Sequence, residues 1–134
     1  MNTREIALRF ARTWQTGWAT HDVGLLVSLY APDIVHRSMP FREPHRGLAA
    51  LREYLTWSFS EEIVLNVKFG EPLVDGDTAA IEFSVRAEEG HLAGCVFVRF
   101  DENGLAVETR DYWHMTDNPE YVQKSGVTDH PGYA

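Results

Sequence analysis

Asp111 stands where a carboxylate is least expected. In the stretch Leu105 to Met115 the odd positions hold Leu105, Val107, Thr109, Trp113 and Met115, and the even ones hold Ala106, Glu108, Arg110, Tyr112 and His114. With the two-residue period of a strand, this puts Asp111 on the apolar face. A carboxyl there must accept hydrogen bonds, meet a cation, or let its pKa climb, because burial penalises the charged form. A raised pKa would make it a proton donor or acceptor near neutral pH. Two plainer readings stay open: Asp111 serves only as a hydrogen-bond acceptor, or a bulge after Thr109 turns it outward.

His36 shares a strand face with Ile34 and Ser38 and, if that face looks inward, is the best candidate acid or base partner of Asp111; the plainer reading is a satisfied core or rim histidine. His21, His45, His91, His114 and His130 fall in turns, loops or on the outward face, without the spacing of a zinc site, so no metal is expected. Cys95 is the only cysteine, which excludes an internal disulfide and a thiolate cluster and reads as a buried, inert thiol. A phosphate-cradling glycine loop and a nucleophile elbow are missing from the sequence. The expected chemistry is proton transfer, which calls for no cofactor.

The elements that must position these residues follow from the pattern. An expected Thr3 cap opens a helix with Ile6, Phe10, Trp14 and Trp18 in steps of four. Gly17 and Ala19-Thr20-His21 break it. Asp22 caps a second helix carrying Val23, Leu26, Leu29 and Tyr30, which Pro32 stops. Ile34 to Met39 reads as a short strand and Pro40 to Gly47 as loop. Gly47 opens a third helix with Leu48, Leu51, Leu55 and Phe59, flanked by Tyr54 and Trp57.

From Ile63 the period becomes two. Ile63, Leu65, Val67 and Phe69 share one face, Val74-Asp75-Gly76-Asp77 turns the chain, and Ala79, Ile81, Phe83 and Val85 alternate in the next strand. Two more strands run over Leu92 to Phe100 and Leu105 to Met115, joined by Asp101-Glu102-Asn103-Gly104. Residues 1–116 thus form one α+β domain, and Asp117 to Ala134, with Pro119, Gly126, Pro131 and Gly132, reads as a polar, loosely ordered tail. The strand from Leu92 is apolar on both faces, Val96 and Val98 on one, Cys95 and Phe97 on the other, so a sheet-to-sheet homodimer is expected to cover the outer one.

Sixteen aromatic residues in 134 set the character of the interior. Trp14, Trp18, Tyr30, Tyr54 and Trp57 sit on helix faces that look toward the sheet and suit both a core and a pocket for an apolar or partly polar organic ligand. Ser38, Met39, Phe83, Val96, Val98 and Trp113 complete the expected substrate wall. The formal charge of −8 opposes binding to nucleic acid and to anionic membranes. There is no apolar run of membrane-spanning length and no apolar leader, so a cytoplasmic location is expected.

The order of elements, the helix starts at Asp22 and Gly47, and above all Thr109-Arg110-Asp111-Tyr112-Trp113 resemble SnoaL-like members of the nuclear transport factor 2-like superfamily, over residues 3 to about 116. The resemblance implies a cone-shaped, curved, mostly antiparallel sheet around three N-terminal helices with a short strand between the second and third, usually dimeric, with a deep pocket. It spans polyketide cyclases, ketosteroid isomerases, epoxide hydrolases, dehydratases and binding modules, so it carries fold better than reaction. The ketosteroid isomerase positions for tyrosine donor, base and acid donor fall on Trp14, Ser38 and Val96, which does not support that chemistry. An Arg-Asp-Tyr motif similar to that of limonene epoxide hydrolases contains Asp111, but their arginine and second aspartate have apolar counterparts near Ile81 and Phe83. SnoaL-type cyclases rely on an inward acid or base aspartate, a part Asp111 would fill. The expectation is a cofactor-independent enzyme for cyclisation, isomerisation or hydrolysis; the alternative is a non-catalytic ligand-binding or dimerisation module.

Overall fold

A computed structural model describes residues 1–118; the expected tail lies outside the described residues from position 119 on. Helix α1 (Thr3–Ala19) is capped by Asn2, one residue before the expected Thr3. The Glu5 N–H donates to Asn2 Oδ1 at 2.9 Å, and the Glu5 carboxylate in turn receives the Asn2 N–H, a reciprocal box that needs the acid three residues after the cap. Phe10 is buried, while Ile6, Trp14 and Trp18 pack at the edge of the same cluster. Gly17 lets α2 (Val23–Val27) approach closely, since a Cβ there would stand 2.5 Å from Leu26 Cδ2. Asp22 caps α2 as expected, accepting the Leu25 N–H at 3.0 Å.

The helix expected to include Leu29 and Tyr30 ends before them because the sheet takes their backbone. The Ala106 N–H donates to the Leu29 carbonyl at 2.9 Å, and Tyr30 opens β1 (Tyr30–Ser38), a strand longer than the one expected from Ile34 to Met39. Pro32 fits inside it because the ladder shifts register between Tyr30 and Val35, so no partner needs its missing N–H. The stretch read as loop contributes β2 (His45–Arg46), and α3 (Leu48–Phe59) follows with Gly47 at its cap.

The remaining strands are β3 (Val64–Phe69), β4 (Leu73–Asp75), β5 (Thr78–Ala87), β6 (Gly90–Phe100) and β7 (Ala106–Thr116). They order as β2-β1-β7-β6-β5-β3, with β4 on β5. Every pairing is antiparallel except β1 with β7. The curved, unclosed sheet holds α1 against β3 and β5, and α3 against β1 and β2, which is the expected α+β architecture. No described helix is long and apolar enough to cross a membrane.

Two bulges revise the expected faces. Leu65 falls in the register shift between Val64 and Asn66, so Ile63 and Leu65 are exposed and the inward face of β3 begins at Val67. A second shift at Arg99/Phe100 gives Ala106 the fully buried place expected of Val107; the odd phase turns inward only from Thr109. His91, expected in a turn or on the outward face, is 2% exposed. The apolar second face of β6 is partly covered from within the chain: Arg110 stands 4.8 Å from the Phe97 ring centroid, and Tyr112 meets that ring edge-on.

Candidate functional site

The parallel ladder between β1 and β7 sets His36 beside Thr109 and Ser38 beside Asp111. All four side chains face inward because both strands keep a period of two through this stretch, so the ladder lines up a column of polar groups. His36 Nδ1 lies 2.7 Å from Thr109 Oγ1, and Ser38 Oγ donates to Asp111 Oδ1 at 2.8 Å. The Trp113 indole N–H donates to Ser38 Oγ at 3.1 Å, so the serine hydroxyl is held from behind while it serves the carboxylate. Trp113 can lie this close because Gly94 faces it across the ladder; a Cβ at Gly94 would run into the Tyr112 carbonyl and the Trp113 Cβ. The bulge that could have turned Asp111 outward comes earlier in the ladder, and the carboxyl keeps only 16% of its surface.

Burial pushes the Asp111 carboxyl up to about 6, against the opposing pull of the Ser38 hydroxyl, the Trp113 indole and the Arg42 guanidinium. Burial drives His36 the other way, down to about 4, with His45 adding to the effect. His36 Nε2 lies 3.7 Å from Asp111 Oδ2. Falling pH protonates Asp111 near 6, well before His36 gains its charge near 4. At neutral pH a carboxylate therefore faces a neutral imidazole.

These groups line a cavity of about 570 Å³ between helices and sheet. Helix α1 contributes Phe10, Trp14 and Trp18, α3 contributes Tyr54, Leu55, Trp57 and Phe59, and the strands contribute Tyr30, Phe69, Phe83, Leu92, Val96 and Trp113. The aromatic wall is also core: Trp14 meets Trp18 edge-on at 5.6 Å, and Phe69 stacks on Phe83 at 5.5 Å. Glu62 ties two elements together at the rim by accepting the Trp18 indole N–H at 2.8 Å and lying 3.2 Å from His21 Nε2.

Of the residues expected to contact substrate, Trp14, Trp18, Tyr30, Ser38, Tyr54, Trp57, Phe83, Val96 and Trp113 reach the cavity, with Asp111 and His36. Met39 and Val98 do not. Met39 takes a left-handed φ of 70° and sits behind Trp113, whose backbone N–H approaches its sulfur at 3.3 Å. Val98 is enclosed in the core, 2% exposed. Trp57, expected to flank the apolar stripe of its helix, is 71% exposed. Sequence reasoning missed Arg42, whose guanidinium lies 5.8 Å from the Trp113 ring centroid; it sits in a loop, where periodicity carries no signal. Thr109 was legible as inward-facing but not as the partner of His36. Among the described residues, no three His, Cys, Asp or Glu side chains gather as a metal would require.

Residues 11–109 match the SnoaL-like domain. Among solved structures, RV0760c of Mycobacterium tuberculosis superposes with a TM-score of 0.71 at 19% identity, over 87% of this chain and 98% of that one. A second structure of RV0760c holds estradiol-17beta-hemisuccinate, with a TM-score of 0.69 at 20% identity over 83% and 98%. A Mesorhizobium loti protein assigned to the SnoaL-like polyketide cyclases gives 0.70 at 24% identity over 84% and 99%. A Catenulispora acidiphila protein of ketosteroid isomerase-like fold, in complex with trimethylamine, gives 0.61 at 14% identity over 77% and 83%. At these identities the likeness is one of fold. No curated protein matches the sequence.

Proposed function

The chain belongs to the SnoaL-like domain family, and from that membership we propose that it is a small-molecule enzyme working by cofactor-independent acid/base chemistry on a largely apolar substrate. The observation that carries this reading is a carboxyl with a pKa of about 6 in the wall of an aromatic cavity. Above that pH Asp111 is a base in a mostly buried, aromatic-walled site, matched to proton transfer near neutrality. Ser38 orients it through Oδ1, and His36, neutral and fixed by Thr109, stands 3.7 Å from Oδ2, beyond hydrogen-bond distance but beside the path of a proton. Cyclisation, isomerisation and epoxide hydrolysis all draw on such a group. The bound steroid ester and trimethylamine of the two relatives support a ligand-sized cavity in this fold.

The test is turnover of a panel of apolar ketones, epoxides and polyketide-like compounds by the wild type and Asp111→Asn. The reading expects at least about a hundredfold loss in the variant; undiminished turnover removes Asp111 from the mechanism. The second reading, a non-catalytic binding module, draws on the same Ser38 hydrogen bond, which would equally suit a structural hub. It predicts ligand binding without turnover. The proposal also includes a cytoplasmic homodimer joined through the outer sheet face around Phe97 and Tyr112, the latter 42% exposed, with oligomeric state by light scattering as its check.

A further inference from the structure

Tyr30 is 4% exposed and lines the cavity at the start of β1. Its hydroxyl oxygen accepts the Trp14 indole N–H at 2.9 Å. An indole N–H can only donate, so this bond uses an oxygen lone pair and leaves the phenolic proton unspent. Among the described residues that proton meets no acceptor. Burial holds the Tyr30 phenol far above its ordinary value, so it stays protonated at any working pH. The charge of Asp111 adds to that effect, which places hydroxyl and carboxyl within electrostatic reach of each other. A buried donor without an acceptor is costly, and a ligand oxygen in the cavity would recover that cost.

We infer that Tyr30, held in place by Trp14, is the hydrogen-bond donor that receives an acceptor oxygen of the ligand, so that the substrate is an apolar compound bearing a carbonyl group. This rests on the cavity being the ligand site proposed above. The aromatic walls take the hydrocarbon body, and the Tyr30 hydroxyl polarises the carbonyl oxygen. Specificity follows from the same arrangement: a hydrocarbon of equal shape leaves the donor unpaired and binds more weakly. Trp14 lends its ring to the aromatic wall and its indole N–H to the Tyr30 oxygen, which orients the hydroxyl.

The experiment compares binding of 2-acetylnaphthalene with that of 2-ethylnaphthalene, its oxygen-free counterpart of nearly the same shape, by calorimetry and by the infrared carbonyl stretch. The wild type is expected to prefer the ketone by about five- to tenfold, the worth of one net hydrogen bond, and to shift its carbonyl stretch to lower frequency. Tyr30→Phe is expected to abolish both the preference and the shift while still binding the hydrocarbon. Trp14→Phe keeps the phenolic proton and is expected to keep most of the shift, whereas a merely structural Trp14–Tyr30 pair would make the two variants behave alike. Equal binding of the two probes by the wild type with an unshifted carbonyl, or equal loss in both variants, overturns the role of Tyr30 and leaves the cavity as a ligand site. Binding of neither probe overturns the cavity as a site for such ligands, and this inference with it.

Discussion

Ser38 on β1 and Asp111 on β7 are register partners in a parallel ladder, and the serine hydroxyl donates to Asp111 Oδ1 at 2.8 Å. The backbone pairing thus fixes which hydroxyl serves the carboxylate, with the Trp113 indole holding that hydroxyl at 3.1 Å. The bond favours the charged carboxylate while burial opposes it, and burial wins.

Removing that hydroxyl is therefore expected to raise the Asp111 pKa further. In Ser38→Ala the rising limb of a kcat/KM profile, set by ionisation of Asp111 near pH 6 in the wild type, should move to higher pH. A limb that stays in place would show that another group controls the rate.

Asp111 and His36 should compensate one another in acid. The Asp111 pKa is raised on folding, so its stabilisation is full below the unfolded value near 4 and is lost as pH rises through about 6. The His36 pKa is lowered, so its contribution is full above the unfolded value near 6.5 and is lost as pH falls toward 4. Each shift is worth about 3 kcal/mol, with opposite slopes over the same window. Relative to the wild type, Asp111→Asn should lose stability as pH falls from 6.5 to 4 and be the more stable protein at pH 8, whereas His36→Gln should gain as pH falls from 6 to 4. Urea midpoints at pH 8, 6 and 4 decide this. Parallel profiles for all three proteins would contradict it, and an Asp111→Asn variant less stable than the wild type at pH 8 would favour the structural hub.

Thr109 is 1% exposed and gives His36 its hydrogen-bond partner at 2.7 Å. Thr109→Val keeps the shape but strands a buried imidazole nitrogen, at about 1–3 kcal/mol. Thr109→Ser should retain most of the stability. Thermal denaturation of the pair separates the two, and equal losses would mean that volume matters here rather than the hydroxyl.

Much of the fold was legible because amphipathic period is a strong signal, and the helix starts at Asp22 and Gly47, the inward phase of Asp111 and the shared face of His36 and Ser38 all follow from it. The misplacements have local causes. Pro32 halts a helix in a one-dimensional reading, but its place in a shifted ladder lets β1 run through it. Leu65 and Val107 lie at bulges, which change phase without a residue signature. Arg42 and Met39 belong to a loop and a left-handed turn, whose direction depends on tertiary contacts. The pairing of His36 with Thr109 needed the register of β1 on β7, which no segment reveals alone.

Gly94 shows how tightly the site is seated, because a methyl group there would strike the Tyr112 carbonyl and the Trp113 Cβ across the ladder. Gly94→Ala is expected to push β7 away from β6, to cost at least about 2 kcal/mol, and to displace Trp113 from Ser38. Chemical denaturation and the indole N–H resonance of Trp113 check both effects, and a variant unchanged in each would contradict the packing described.

The central claim is a carboxyl at Asp111 poised near neutrality by burial, and the most direct measurement is the titration of its side-chain carbon by 13C nuclear magnetic resonance, assigned by the signal lost in Asp111→Asn. A midpoint near pH 6 is the result expected. A midpoint at or below the ordinary aspartate value of about 4 would contradict the account.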